Sequence, residues 1–141
     1  MIILDVNIIL YAVNENSPLH ARAKAWLEGA LCGGETVGFS WTVLLAFVRL
    51  TTRTGLFSNP MPVDKAFDLI DAWLEQPSAI VVDPGPRHAT ILRKLLSSAG
   101  TGGNLTSDAH LAALALEYGA EVCSLDRDFM RFPGLKWRDP L

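Results

Sequence analysis

Short apolar runs alternate with helical periodicities along the whole chain. Residues 1–4 form an apolar run that ends at Asp5, which predicts a short buried strand, and a helix through residues 8–13 follows. The pattern further predicts helices over residues 18–31, 40–55, 63–74, 87–99 and 106–118, and strands over residues 36–39, 79–83 and 121–125. About four strands interleaved with helices predict an α/β domain whose parallel sheet is covered on both faces.

Size and composition restrict the class of protein. With 141 residues and 50% hydrophobic content, the chain is expected to form one domain, residues 1–141, with a sizeable core. No apolar run reaches the roughly 18 residues of a membrane span, and Asp5 and Asn7 interrupt the apolar start, which argues against a signal peptide. Cys32 and Cys123 match no metal-ligand spacing, so we expect buried, reduced thiols and a cytoplasmic location.

Four aspartates stand where a buried element begins or ends. Asp5 closes the first predicted strand, Asp108 opens an alanine- and leucine-rich helix, and Asp126 and Asp128 follow the last predicted strand. Because ligands bind outside the carboxyl ends of parallel strands, these carboxylates can converge at one edge of the sheet. Carboxylates held close together raise each other's pKa, so a cluster implies a hard cation, most simply Mg²⁺ or Mn²⁺. Such an ion supports phosphodiester hydrolysis.

Each of these acids also has an ordinary interpretation when it is taken alone. Asp5 fits a strand-end turn, Asp108 the first turn of a helix, and Asp126 or Asp128 an Asx turn. Their joint occurrence at compatible positions favours a site. The other acids are interpreted as a turn residue before proline or as solvated charges on polar helix faces; they include Asp83, Glu28, Asp71, Glu75 and Glu117. The histidines His20, His88 and His110 lack metal-ligand spacing and are interpreted as ordinary surface or core residues.

Several ordered segments carry a family resemblance. They are Leu4-Asp5-Val6-Asn7, residues 104–115 around Asp108, residues 124–132 around Asp126, and residues 137–141. In this order and at these separations, over nearly the whole chain, they resemble the PIN-domain ribonucleases, specifically the VapC toxins of VapBC toxin–antitoxin modules. The resemblance implies a three-layer α/β/α domain with a central parallel sheet of four or five strands, and a homodimer.

The resemblance also implies a function and a set of site residues. It implies an endoribonuclease that cleaves tRNA or rRNA to inhibit translation, a cognate VapB-type antitoxin whose tail occupies the active groove, and contact with DNA only through that antitoxin. It further implies that Asp5, Asp108 and Asp126 ligate Mg²⁺ or Mn²⁺ and that Asp128 completes the acidic cluster. Asn7 and Ser124 are expected to orient these carboxylates.

One position departs from the family pattern. The family's second acidic residue is a glutamate in a Glu-Phe-Val-Arg-like stretch, and this chain has Ala46 there. Two explanations remain open: a laboratory substitution that disarms a toxin, which the otherwise intact site favours, or a natural chain with weakened or lost catalysis. Loss of a group that completes a metal site commonly costs roughly 10- to 100-fold, so we expect little activity from this chain.

Two arginines follow Ala46 on the same predicted helix. Arg49 and Arg53 lie three and seven residues beyond it, so all three share about one helical face, directed toward the acidic cluster. We expect both arginines to bind RNA phosphates, and a solvated helix face is the alternative. The formal net charge of −3 does not by itself indicate nucleic-acid binding. The competing function is a non-catalytic PIN-like module that binds RNA or a peptide, in which Ala46 is natural.

Overall fold

The computed structural model describes residues 1–141 and contains five strands and six α-helices. The elements are, in chain order, β1 Ile2–Leu4, α1 Val6–Val13, α2 His20–Cys32, β2 Val37–Phe39, α3 Trp41–Thr52, α4 Val63–Leu74, β3 Ala79–Val81, α5 His88–Ala99, α6 Thr106–Tyr118, β4 Glu121–Cys123 and β5 Lys136–Arg138. Short 3-10 helices cover Gly103–Leu105 and Arg127–Arg131. No helix has the length and apolar character needed to cross a bilayer.

The five strands form one parallel sheet in the order β3-β2-β1-β4-β5. Helices flank it, so the predicted three-layer α/β/α architecture is confirmed. The central strand β1 is entirely apolar and fully buried, as expected for a strand covered on both faces. From β1 the chain builds outward to β2 and β3 on one side and to β4 and β5 on the other. The boundary between β1 and β4 is therefore the switch point of the sheet, where ligands bind in folds of this type.

A large apolar core holds the helices against the sheet. Phe39 of β2 and Phe47 of α3 both pack on Trp73 of α4. Their ring centroids lie 6.2 and 5.0 Å, respectively, from the ring centroid of Trp73. All three side chains are buried, and aromatic pairs of this kind contribute about 0.5–1.5 kcal/mol each beyond the area they bury. Because Ser40 caps α3 at its N-terminus, the helix is fixed at its start and along its buried face. The orientation of α3 therefore also determines where its opposite, less buried face points.

The fifth strand was not predicted from the hydrophobic pattern. Lys136 and Arg138 flank Trp137, and none of the three is buried, so the segment has no apolar run. It is a strand because it pairs with β4 in parallel, Val122 opposite Trp137. Two side chains secure this edge: Arg138 lies 2.6 Å from Glu121, and the indole nitrogen of Trp137 donates to the carbonyl of Ser124 at 3.0 Å.

Two sequence-based interpretations were wrong. Cys32 is exposed at the end of α2, and only Cys123 is buried. Glu117 was interpreted as a solvated charge, but its side chain is only 8% exposed. It accepts a hydrogen bond from the backbone nitrogen of Gly85 at 3.1 Å and lies 2.7 Å from Nδ1 of His88, whose Nε2 is 2.9 Å from Nδ1 of His110. The reason is tertiary: α5 packs against the face of α6 that carries Glu117.

Candidate metal centre

Three carboxylates from two elements meet beside the switch point. Asp108 lies in the first turn of α6, Asp126 is the N-cap of the 3-10 helix Arg127–Arg131, and Asp128 lies inside it. One carboxylate oxygen from each of the three lies within 4.8 Å of the other two. The N-cap hydrogen bond from the Asp128 backbone nitrogen to Oδ1 of Asp126, 2.8 Å long, sets the spacing of the last two. The structure therefore places together three of the acids that the sequence predicted.

Asp5 stands at the end of β1 and is held by hydrogen bonds. Its Oδ1 accepts from the backbone nitrogen of Val6 at 2.7 Å, which also caps α1. Its Oδ2 accepts from Nδ2 of Asn7 at 2.9 Å and from the hydroxyl of Ser124 at 2.6 Å. Since Ser124 follows β4, these bonds tie the carboxyl ends of β1 and β4 together.

Ser124 and Asn7 are both fully used in this network. The Ser124 hydroxyl donates to Asp5 and accepts from Nδ2 of Asn7 and from the backbone nitrogen of Asp126, each at 2.9 Å. The side-chain oxygen of Asn7 accepts from the backbone nitrogen of Leu125 at 3.3 Å. Both residues thus form hydrogen bonds that join Asp5 to the segment that carries Asp126.

No cationic side chain of the protein neutralises the negative charge of this cluster. Burial, and then the charges of Asp5, Asp126 and Asp128, raise the pKa of Asp108 to about 6. Burial also raises the pKa of Asp5, against the lowering effect of its bonds from Ser124 and Val6. None of the four carboxylates forms a salt bridge. Four acids without a cationic partner are the arrangement that a divalent ion stabilises.

The side of α3 that faces away from the core borders the same region. A cavity of about 480 Å³ is lined by Asp5 and Asp108 together with Ala46 and Arg49 of α3. A longer side chain at position 46 would extend into it. Thr42 and Ser107 also line this cavity. Neither was predicted as a site residue, although Thr42 lies one helical turn before Ala46 and Ser107 adjoins Asp108.

Arg53 is not among the residues that line this cavity. The helix α3 ends at Thr52, and Arg53 is its C-cap with extended backbone angles, so the chain leaves the helix after this residue. The hydroxyls of Thr51 and Thr52 accompany this ending, because they donate to the carbonyls of Phe47 and Val48 at 2.8 and 2.7 Å. Threonines that bond back to the preceding turn weaken and bend helices.

Fold and site together define the class of this protein: it is an α/β/α domain with acidic residues at the switch point of a parallel sheet. The family model described as "PIN domain" matches residues 2–135. Ribonuclease VapC37 of Mycobacterium tuberculosis is 51% identical over 140 residues, which cover 99% of this chain and 97% of that protein. Ribonuclease VapC33 of the same organism is 42% identical over 141 residues, covering 100% of this chain and 99% of that protein.

The chain belongs to the PIN-domain family, and within it to the VapC ribonucleases. Among solved structures, VapBC-1 from nontypeable Haemophilus influenzae aligns with a TM-score of 0.69 at 20% identity, covering 99% of this chain and 98% of that one. At this level of identity the similarity concerns the fold, and it agrees with the sheet order and the helical layers described above.

Proposed function

We propose that this chain is a divalent-metal-dependent endoribonuclease that acts as the toxin of a VapBC toxin–antitoxin module and cleaves tRNA or rRNA to inhibit translation. The observation that carries the proposal is the convergence of Asp108, Asp126 and Asp128 within 4.8 Å, beside the buried Asp5. The names of the curated relatives, all ribonucleases of the VapC type, support the nuclease activity.

The residues at this centre fit Mg²⁺ or Mn²⁺. Every candidate ligand is a carboxylate oxygen, which hard cations prefer, and no cysteine or histidine belongs to the group. Asp108, Asp126 and Asp5 would hold the ion. Two donors already occupy Oδ2 of Asp5 and one occupies Oδ1, so Oδ1 keeps a lone pair for ligation.

The remaining groups would orient the reactants. When bound, the divalent ion would lower the pKa of a water molecule and neutralise charge that develops on the phosphate. Asn7 and Ser124 hold Asp5 in one orientation, so that carboxylate needs no reorganisation during the reaction. The carboxylate of Asp128 accepts no hydrogen bond within the fold and is free to accept a proton from the attacking water. Arg49, on the α3 side, would bind an RNA phosphate through its guanidinium group.

Ala46 is proposed to lower the activity of this chain. It lines the cavity with Asp5 and Asp108, and the missing carboxylate would cost roughly 10- to 100-fold if it completed or oriented the metal site. The test is Mg²⁺-dependent cleavage of total bacterial RNA by this chain and by Ala46→Glu, with Asp5→Ala added to that variant as the control. Gain of specific cleavage that the added Asp5→Ala abolishes would support a nuclease limited at position 46.

A second candidate function follows from the same alanine. A PIN-like module that binds RNA or a peptide without cutting it would need no carboxylate at position 46. Absence of cleavage by both this chain and Ala46→Glu, with the fold intact and RNA or peptide binding retained, would favour this module over the nuclease.

The proposed partners are a cognate VapB-type antitoxin, a second copy of the chain, and RNA, with DNA contacted only through the antitoxin. The similarity to a chain from a VapBC structure supports the first. Light scattering after size exclusion tests the second, since a homodimer has twice the 15.4 kDa of the chain. Arg53 remains a predicted RNA contact outside the cavity, which Arg53→Ala would test in an RNA-binding assay.

A further inference from the structure

The 3-10 helix Arg127–Arg131 presents three distinct faces. A 3-10 helix has three residues per turn, so side chains at positions i and i+3 lie above one another. Phe129 and the following Phe132 illustrate this: they are 1% and 3% exposed, and their ring centroids are 6.1 Å apart. This aromatic pair anchors the segment in the core and thereby fixes its rotation.

The second face carries Asp128 and Arg131. Asp128 belongs to the carboxylate triad with Asp108 and Asp126, so the face that it shares with Arg131 borders the metal centre. With a rise of about 2.0 Å per residue, Arg131 emerges roughly 6 Å farther along the axis than Asp128. Arg131 is exposed and forms neither a salt bridge nor a side-chain hydrogen bond in the structure. Its guanidinium group is therefore uncommitted.

Arg127 lies on the third face. It shares this face with Met130, which is 68% exposed, and it is itself exposed without a salt bridge. The two arginines thus have the same charge and similar exposure, and they stand four residues apart on one short helix. They differ in which face of the helix they occupy. Arg127 is a matched control for Arg131.

The charge of the site creates a need for cations beside it. Four carboxylates and one divalent ion leave two negative charges, which would repel an RNA phosphate. Asp108 belongs both to the triad with Asp128 and to the cavity with Arg49. Arg49 of α3 and Arg131 of the 3-10 helix therefore both lie on elements that border the acidic cluster, and their two positive charges match the excess.

We propose that Arg131 binds an RNA phosphate adjacent to the scissile one, on the side of the acidic cluster that the 3-10 helix forms. The inference rests on the proposed ribonuclease function and adds a substrate-positioning residue to it. An RNA strand would cross the cluster with one phosphate at the carboxylates and flanking phosphates at the two arginines. Guanidinium groups suit this role because they bind phosphate oxygens in a bidentate manner.

The test compares Arg131→Ala, Arg131→Lys and Arg127→Ala with the unmodified chain. Binding of fluorescein-labelled bacterial tRNA is measured by anisotropy in Mg²⁺ over a series of salt concentrations, and a gel checks that the RNA stays intact. We expect Arg131→Ala to weaken binding about three- to tenfold and to reduce the slope of log Kd against log salt concentration by about 0.7–0.9, the loss of one phosphate contact. Arg131→Lys should keep most of the slope, and Arg127→Ala should match the unmodified chain.

The outcomes separate this inference from the function on which it rests. If the unmodified chain binds tRNA but Arg131→Ala and Arg127→Ala have equal affinities and slopes, Arg131 has no special role and the inference is overturned while the function stands. If the unmodified chain neither binds tRNA nor gains cleavage on Ala46→Glu, both fail. The Tm of all variants should be unchanged because neither arginine has a partner within the fold. A lowered Tm of a variant would indicate a structural role of the substituted arginine.

Discussion

Removing the charge of Asp108 should stabilise the metal-free protein while it removes metal binding. Asp108 makes no side-chain hydrogen bond, and its pKa is raised to about 6 by burial and by three neighbouring carboxylates. The substitution Asp108→Asn keeps the shape of the side chain and removes its charge. Without a divalent ion, the ionised carboxylate is a source of repulsion that the fold must overcome.

The size and the sign of this effect follow from the pKa. A rise from 3.8 to about 6 corresponds to about 3 kcal/mol at 1.36 kcal/mol per tenfold change in proton affinity. Asp108 is partly exposed, so solvent screening reduces this to about 1 kcal/mol. Because the folded-state pKa is the higher one, the protonated carboxyl favours the fold at low pH, and this contribution is lost as the pH rises through about 6.

The assay is thermal unfolding in EDTA at pH 4.5 and pH 7.5, followed by titration with Mg²⁺ at pH 7.5. At pH 7.5 Asp108→Asn should raise the Tm by about 3 °C, and at pH 4.5 the gain should be smaller. Mg²⁺ should then stabilise the unmodified chain and have little effect on the variant. Asp71→Asn, on the exposed face of α4, is the control and should change neither value. A gain that is absent at pH 7.5, or equal at both pH values, would refute the electrostatic explanation.

Three further substitutions test the supporting structure. Ser124→Ala removes the hydroxyl that joins Asp5, Asn7 and the start of the 3-10 helix. The substitution should cost about 1–3 kcal/mol in chemical unfolding and lower Mg²⁺ affinity roughly 10-fold or more in calorimetry. An unchanged Mg²⁺ affinity would contradict the orienting role of Ser124. Glu117→Ala should cost about 1–3 kcal/mol in the same unfolding assay, because it leaves Nδ1 of the buried His88 and the backbone N–H of Gly85 without a partner; removal of an exposed acid would cost nothing measurable. Trp73→Ala should cost about 3–5 kcal/mol by opening the aromatic cluster, and a loss below 1 kcal/mol would show that α3 and α4 are held otherwise.

The sequence was most informative where a buried strand or helix begins or ends at an acidic residue. Residues 1–4 are apolar without interruption, so their burial as a central strand follows from their composition. The acid that ends this run must then lie where the carboxyl ends of the parallel strands meet. The same logic located Asp126 and Asp128 after β4. The first turn of α6 was recognisable from its alanine-rich buried face, which placed Asp108 beside the others.

Features created by tertiary pairing had no local signal. Strand β5 exists because β4 offers an unpaired edge, and its own residues are charged apart from Trp137. Glu117 occupies a helix position whose polarity suggests solvent, yet α5 covers it and supplies His88 as a partner. The position of Arg53 depended on where α3 ends, and helix ends are the least certain part of a periodicity argument.

A metal-dependent ribonuclease must cut RNA through its acidic cluster. The most direct measurement is cleavage of total bacterial RNA by the Ala46→Glu variant in Mg²⁺, alongside this chain and alongside Ala46→Glu combined with Asp5→Ala. We expect specific fragments of tRNA or rRNA from the first protein, few or none from the second, none from the third, and none from any of them in EDTA. Fragments that persist in EDTA or after Asp5→Ala, or no fragments from a folded Ala46→Glu protein that binds Mg²⁺, would contradict the proposed function.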